Sequence, residues 1–310
     1  MKIVSQECIN FAFLYYNALK FFSDIRVYET LRDAMLFDKW NLKMHPMLNI
    51  AARAARSAGN LIARNLGQQG SFEVEEKNKD DLVTTIDKQC EKVIIDTLLK
   101  SYRDHSVLAE ESGVVGNPDS EYQWVIDPID GTTNFVQGIA HCAVSIALRH
   151  NGKTEVGVVF DPMLNEMFTA ARGEGAFLNG HRIRVSPRDS LDGAIIGTAF
   201  PTRYRDRMPA YLDLFSRLIA NCADVRRMGS ASLDLCYVAC GRFDGYLEQG
   251  LKPWDYAAGD LILREAGGIV SDFMGETGYV KSGNLVSGNP KMLRALLKIC
   301  DVQNLPAILK

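Results

Sequence analysis

Gln123-Trp124-Val125-Ile126-Asp127-Pro128-Ile129-Asp130-Gly131-Thr132-Thr133-Asn134 runs from an apolar, strand-like segment into two aspartates and a turn of small residues. Asp127 closes the apolar run, and Pro128, which has no N–H to donate, is expected to release the chain outward from a sheet. Asp130 is expected to point back toward Asp127 across a tight turn. Gly131 lets backbone approach a ligand closely, while Thr132 and Thr133 open a short helix whose free N–H groups suit a phosphate. Two carboxylates beside an anion site repel the anion. A divalent cation removes the contradiction, because carboxylates bind Mg²⁺ and its open positions take phosphate oxygens and water.

Upstream, Val107-Leu108-Ala109 reads as a short buried strand ending in Glu110, Glu111 and Ser112. Solvated loop charges are the plain reading of these acids. The same architecture at Asp127, however, marks two strand ends that one sheet can bring together. Before it, Ile86, Cys90, Val93, Ile94, Thr97 and Leu98 have helical spacing, with Asp87 at the helix mouth as an ordinary N-cap. The segment from Glu73 to Asp81 is charged and loop-like, and its Lys77 and Lys79 read as exposed lysines. Ile50, Ala51, Ala54, Ala55, Ala58, Leu61 and Ile62 predict the first helix of the fold, starting near Met47. Residues 1–43, rich in Phe, Tyr and Leu, differ in character from the remainder of the chain, and a second Met stands at 44. Either translation starts at Met44 or the segment is an amphipathic arm that mediates contacts.

Downstream, the runs Ala143 to Leu148, Lys153 to Phe160 and Glu166 to Ala171 are separated by Asn151-Gly152 and by Pro162 to Asn165, which predicts an antiparallel meander. Beyond Asp192 helices alternate with short strands, the helical candidates being Ala210 to Ala220, Ser230 to Cys240, Tyr256 to Ala266 and Pro290 to Ile299. A boundary at Ser186 to Asp192 divides the chain into halves 44–188 and 189–310, after an extra segment 1–43. Glu248 lies seven residues before Asp255, which precedes a helix and reads locally as another N-cap.

Composition excludes several classes of function. With 310 residues and a formal net charge of -3, the chain can bury a large core and lacks the bulk positive charge of a nucleic-acid binder. Arginines 203, 205 and 207 around Tyr204, with Arg226 and Arg227, form local basic clusters that usually lie on solvated surface. Seven cysteines without a C-x-x-C pair read as reduced thiols in a cytoplasmic protein, and five histidines lack zinc-ligand spacing. Hard oxygen ligands are what the chain offers. No apolar stretch reaches the roughly 18 residues of a membrane span, and no signal-peptide pattern is formed.

Trp124 to Phe135, the Glu110-Glu111-Ser112 step, and Trp254-Asp255 running into Glu265-Ala266-Gly267-Gly268 together resemble the inositol monophosphatase family, in order and spacing, over Met44 to about Ile299. Met44-His45-Pro46-Met47-Leu48 and Gly229-Ser230-Ala231 are most similar to its bacterial SuhB branch. The resemblance implies an α/β (α+β) fold in αβαβα layers, with an antiparallel sheet in the first half and an α/β second half. It implies a Mg²⁺-dependent phosphoric monoester hydrolase using two or three ions per site. Glu110, Asp127 and the carbonyl of Ile129 match one Mg²⁺ site, and Asp127, Asp130 and Asp255 match the second. Gly131, Thr132 and Thr133 match the phosphate-holding turn. Thr132 and Asp87 match the pair that orients the attacking water near Glu110, which moves Asp87 from cap to catalytic residue. Asp130, Gly229, Ser230, Ala231, Glu248 and Asp255 match the alcohol-binding region, and either Lys77 or Lys79 the nearby lysine. Inositol 1-phosphate is the first expected substrate, other sugar or nucleotide phosphates the alternatives. Lithium sensitivity and a homodimer are further family expectations. A different class of role is implied too: partnership with RNA polymerase in ribosomal RNA transcription antitermination.

Overall fold

The structure, a computed structural model, describes residues 45–300 except 69, 71, 79, 80 and 202–204. The expectations for residues 1–43 and for Lys79 fall outside the described residues. The chain enters through α1 (Pro46–Asn65), where proline sits in the first turn and its missing N–H costs no helical bond. Fully buried Ala51, Ala54, Ala55 and Ala58 give this helix a small-residue face that lies close to its neighbours. The segment expected to be a charged loop is instead an antiparallel ribbon, β1 (Val74–Asn78) with β2 (Asp81–Thr84). Val74, Glu75 and Glu76 are exposed, and a two-stranded ribbon wet on that side needs no apolar face, so charge does not exclude pairing.

After α2 (Thr85–Ser101) come β3 (Ser106–Ala109), β4 (Gly113–Gly116), β5 (Tyr122–Asp130) and the single turn α3 (Thr132–Val136). Then β6 (Ala143–His150), β7 (Lys153–Asp161), β8 (Glu166–Ala171), β9 (Gly175–Leu178) and β10 (His181–Arg182) complete an eight-stranded sheet, ordered β10-β9-β8-β7-β6-β5-β3-β4. The sheet is antiparallel, as the meander predicts, except at one place. β3 and β5 run parallel, with Ala109 beside Ile126, so Glu110 and Asp127 leave adjacent strand ends in the same direction. Nor does Pro128 end β5. The strand continues to Asp130, and its pairing with β6 shifts register between Asp127 and Asp130, so an irregularity within the strand replaces the expected tight turn.

The second sheet begins at β11 (Ile195–Thr198), followed by α4 (Met208–Asn221), β12 (Asp224–Arg226), α5 (Ala231–Ala239), β13 (Gly245–Glu248) and α6 (Pro253–Glu265). β14 (Ile269–Ser271), α7 (Tyr279–Ser282), β15 (Leu285–Gly288) and α8 (Pro290–Cys300) close the described chain. The strand order is β12-β11-β13-β15-β14, parallel through β13, with β15 antiparallel to both of its neighbours. α1 and α2 cover one face of the first sheet, α5 and α6 lie between the sheets, and α8 with α4 covers the second. The result is an αβαβα stack. Among the described residues no helix is long and apolar enough to cross a membrane.

Backbone contact sets the spacing at the centre of the stack. A Cβ on Gly157 of β7 would stand 2.9 Å from the carbonyl oxygen and 3.2 Å from the Cα of Ala258 in α6, so a side chain there must push helix from sheet. Gly157→Ala is expected to lower stability by about 1–3 kcal/mol, the usual penalty of overpacking a filled core. Urea denaturation measures it, and an unchanged midpoint would show that these layers are not in tight contact.

Candidate metal and phosphate site

Glu110, Asp127, Ile129, Asp130, Gly131, Thr132, Thr133, Gly229, Ser230, Ala231, Glu248 and Asp255 line one cleft of about 1020 Å³, part of it open to solvent. Residues far apart in sequence are therefore brought together. Asp87 does not line the cleft but stands behind it. The backbone of Lys77 lies in β1, at the edge of the described residues.

Each acid is held by a different element. Asp127 Oδ1 accepts a hydrogen bond from the N–H of Ile129 at 3.0 Å, inside the irregular stretch of β5. Asp130 Oδ2 accepts three: from Ser230 Oγ at 2.7 Å, from Ser232 N at 2.7 Å and from Ser232 Oγ at 2.5 Å. Asp130 thereby ties the end of β5 to the start of α5. Asp255, in the first turn of α6, accepts the N–H of Lys252 at 2.6 Å, so it caps from inside the helix and not from the position preceding it. Glu248 ends β13 and takes the hydroxyl hydrogen bond of Tyr246.

Asp87 likewise does two jobs. Thr84 is the N-cap of α2, and Asp87 completes a capping box by accepting the N–H of Thr84 at 2.8 Å. Its other oxygen lies 3.1 Å from Thr132 Oγ1, which is also 2.9 Å from the carbonyl oxygen of Ile129. That hydroxyl has one proton and two acceptors. Gly131, at φ +94°, starts the turn, and a Cβ there would meet the carbonyl oxygens of Gly229 and His141 at 3.1 Å. Glycine is required for both the left-handed backbone and the close approach.

Sequence reasoning missed several supporting residues. Glu91, buried on α2, accepts the N–H groups of Glu111 at 2.8 Å and Ser112 at 3.0 Å and so fixes the loop that carries Glu110. Asn134 Nδ2 donates to the carbonyl of His141 at 2.8 Å and to that of Met228 at 2.9 Å, tying the segment after β5 to the one after β12. Only Thr84 left a local signal, the capping-box spacing Thr84-x-x-Asp87. Leu82, Ala199, Phe200, Pro201, Arg227, Gln249, Gly250 and Leu251 also line the cleft without a motif of their own.

The electrostatics of this wall are unfavourable as it stands. Burial, then the charges of Glu110, Asp130 and Asp255, push the Asp127 carboxyl well above the ordinary range. Burial and then Asp130 push Asp255 well above it. Burial also raises Asp130, against the pull of the Ser232 and Ser230 hydrogen bonds. Close approach of the Glu110 carboxyl adds to the upward push on Asp127. Among the described residues no three His, Cys, Asp or Glu side chains close around a single point. Hard oxygen donors that must either hold protons or repel one another nevertheless suit a small divalent cation, which displaces the proton and compensates the charge. The donor set fits Mg²⁺.

A layered fold with strand-end carboxylates and a glycine-led turn facing one cleft defines the class, and comparison with known proteins gives the family. The model of the inositol monophosphatase family matches residues 43–305. Nus factor SuhB of Escherichia coli (strain K12) is 56% identical over 254 residues, 82% of this chain and 95% of that protein. Among solved structures, the extragenic suppressor protein suhB of Bartonella henselae superimposes with a TM-score of 0.81 at 39% identity, covering 83% of this chain and 99% of the other. The inositol monophosphatase of Anabaena (Nostoc) sp. PCC 7120 gives 0.74 at 37% identity, covering 84% and 96%. The chain belongs to the inositol monophosphatase family, on its SuhB branch.

A raised carboxyl binds its proton more tightly in the folded than in the unfolded state. Its stabilising contribution is full below the ordinary carboxylate range and is lost as pH rises through the raised folded value. In EDTA, Asp127→Asn is therefore expected to melt above the parent protein at pH 8, with the gap narrowing toward pH 5. Calorimetry across that range checks it, and a gap that ignores pH would mean that Asp127 is not under charge stress.

Proposed function

We propose that this protein hydrolyses phosphate monoesters with Mg²⁺, inositol 1-phosphate first among them, by direct attack of water. One observation carries the reading: four metal-type acids, the Gly131 to Thr133 turn and Glu248 all face a single cleft. Family membership supports it. Glu110, Asp127, the Ile129 carbonyl, Asp130 and Asp255 would hold two or three Mg²⁺ ions, with Asp127 shared, and bound Mg²⁺ supplies charge compensation and a water of lowered pKa.

The chain's own groups do the rest. The backbone N–H groups of the Gly131 to Thr133 turn bind phosphate oxygens, and the family resemblance assigns Lys77, or Lys79 as the alternative, to the substrate. Thr132 gives its proton to Asp87 whenever the Ile129 carbonyl is otherwise engaged. A lone pair of the hydroxyl then faces the cleft, where it accepts a hydrogen bond that orients the attacking water, and Glu110 accepts the water's proton. Gly229, Ser230 and Ala231 receive the alcohol part with little steric bulk. Glu248, steadied by Tyr246, accepts hydrogen bonds from hydroxyls of a polyol. Most of the acceleration is assigned to positioning and charge stabilisation, with no phospho-enzyme. Lithium sensitivity and a cytoplasmic homodimer belong to the same proposal, and light scattering on the purified protein checks the dimer.

Asp130→Asn keeps the shape and its serine partners but removes a ligand charge. Turnover of inositol 1-phosphate is expected to fall by about 100-fold or more, the scale of losing a charge-stabilising group at a reacting centre, with the circular dichroism unchanged. Parent-like turnover with Mg²⁺ refutes the assignment. Asp87→Asn, one step removed from the reacting atoms, is expected to lower kcat by about 10- to 100-fold with a smaller effect on Mg²⁺ affinity. Unchanged kinetics would return Asp87 to capping alone.

A second reading is favoured by the Nus factor relative: a partner role with RNA polymerase in transcription antitermination. Arg205 and Arg207, in a short helical turn before α4, together with Arg226 and Arg227, are basic groups on the second half. Pull-down of RNA polymerase from cell extract with parent and Asp130→Asn protein separates the roles. Equal recovery means binding independent of hydrolysis, and no recovery with either removes this reading.

A further inference from the structure

Phe200 puts an aromatic ring on the wall of a mainly polar cleft. Its neighbours Ala199 and Pro201 are buried, yet Phe200 itself stays 36% exposed where it lines the cleft. The exposed ring is held firmly. Proline at 201 confines the backbone of the residue before it to extended conformations. The ring also packs against two others, Tyr211 edge-on at a centroid distance of 5.5 Å and Phe215 at 5.7 Å. Tyr211 is fixed in turn: it is buried, stacks on Phe215 at 6.1 Å and shares a hydrogen bond of 2.9 Å with Thr198 Oγ1 at the end of β11. Isolated apolar residues on open surface need no function, whereas a rigid aromatic on a cleft wall is a recognition surface that loses little freedom when a ligand lies on it.

Strand register gives the place of that ring. β11 lies between β12 and β13 and runs parallel to both, with Gly197 beside Arg226 and Thr198 beside Leu247. One residue further on, Ala199 and Glu248 leave adjacent strand ends in the same direction. Phe200 therefore stands at the rim next to the carboxylate assigned to the polyol hydroxyls, whereas the Gly131 to Thr133 turn that takes the phosphate follows β5 of the first sheet. We propose that Phe200 is a specificity-determining residue: its ring is the surface on which the C–H face of a cyclic alcohol lies while Glu248 takes hydroxyls at that alcohol's edge. This rests on the hydrolase reading above. A six-membered polyol ring with mostly equatorial hydroxyls turns its C–H bonds toward its two faces and its hydroxyls outward, which matches an aromatic plane beside a carboxylate acceptor. An open-chain polyol presents no such face.

Inositol 1-phosphate and glycerol 2-phosphate serve as ring and open-chain probes. Their kcat and KM are measured with Mg²⁺, and their binding by titration calorimetry with Ca²⁺ in place of Mg²⁺, for the parent protein, F200A, F200L, F200Y and, as a control on a ring that packs against Phe200 without lining the cleft, F215A. F200A is expected to raise KM and Kd for inositol 1-phosphate about 5- to 20-fold at unchanged kcat, the scale of losing one buried apolar face from uniform binding. F200L, which keeps apolar volume but no plane, should lose most of the same affinity, and F200Y, which keeps the plane, should retain it. Glycerol 2-phosphate is expected to shift by less than about 3-fold in each variant, and F215A to stay within about 3-fold of the parent for both esters. Equal losses for the two esters, a parent-like F200L, or an F215A loss as large as that of F200A overturns the assignment. Plane-dependent binding of inositol 1-phosphate without turnover of either ester removes the hydrolase reading and leaves the platform. Turnover of both esters with no dependence on residue 200 does the reverse.

Discussion

Mutual repulsion among buried carboxylates is the constraint around which the rest of this molecule is arranged. Asp127 is 2% exposed and Asp130 8%, and both feel other acids across the same cleft. Such a group of like charges opposes folding unless it is protonated, hydrogen-bonded or neutralised by a cation. All three remedies have a place here. Asp127 is pushed toward its protonated form by burial and by Glu110, Asp130 collects three hydrogen bonds from the start of α5, and the whole set offers oxygen donors to a metal. The fold therefore tolerates at its centre an arrangement that favours an added cation, the usual exchange of stability for function at a site of this kind.

The parallel pairing of β3 and β5 meets the same need. An antiparallel neighbour would present its opposite end to Asp127, and Glu110 would lie a strand length away. The chain instead turns back through β4 at the sheet edge and returns to place two acidic strand ends side by side. Glu91 then holds the backbone after Glu110, and Thr84 with Asp87 holds the hydroxyl of Thr132. Support comes mainly from α2, a helix that has no side chain lining the cleft.

Much of this is legible in the chain. Periodicity gives α1, α2 and the four longer helices of the second half within a few residues, because their apolar faces are wide and their flanks polar. Short apolar runs broken by turn residues give β6, β7 and β8, which are buried along most of their length. The ribbon β1–β2 escapes such reading because its charge suggests a loop, whereas charge reports solvation, not pairing. Pro128 misleads in a different way. A proline lacks one donor, and an irregular stretch in the pairing with β6 accommodates that loss without ending the strand. The acids of the site are legible through family resemblance and from strand-end patterning, whereas Ser232, Glu91 and Asn134 are not, since a residue that acts on a group distant in sequence leaves no local pattern.

Asn134 shows what that distance means for how the molecule comes into being. One amide nitrogen spans carbonyls on segments that lie 94 residues apart from donor to farther acceptor, and Asp130 reaches 102 residues to Ser232. A truncated chain ending before Ser230 retains Glu110, Asp127 and Asp130 but lacks the two serines that donate to Asp130, and lacks Asp255. The full set of acids facing the cleft is thus assembled only from both ends of the described chain, and a nascent polypeptide completes it only once its final third has emerged and docked.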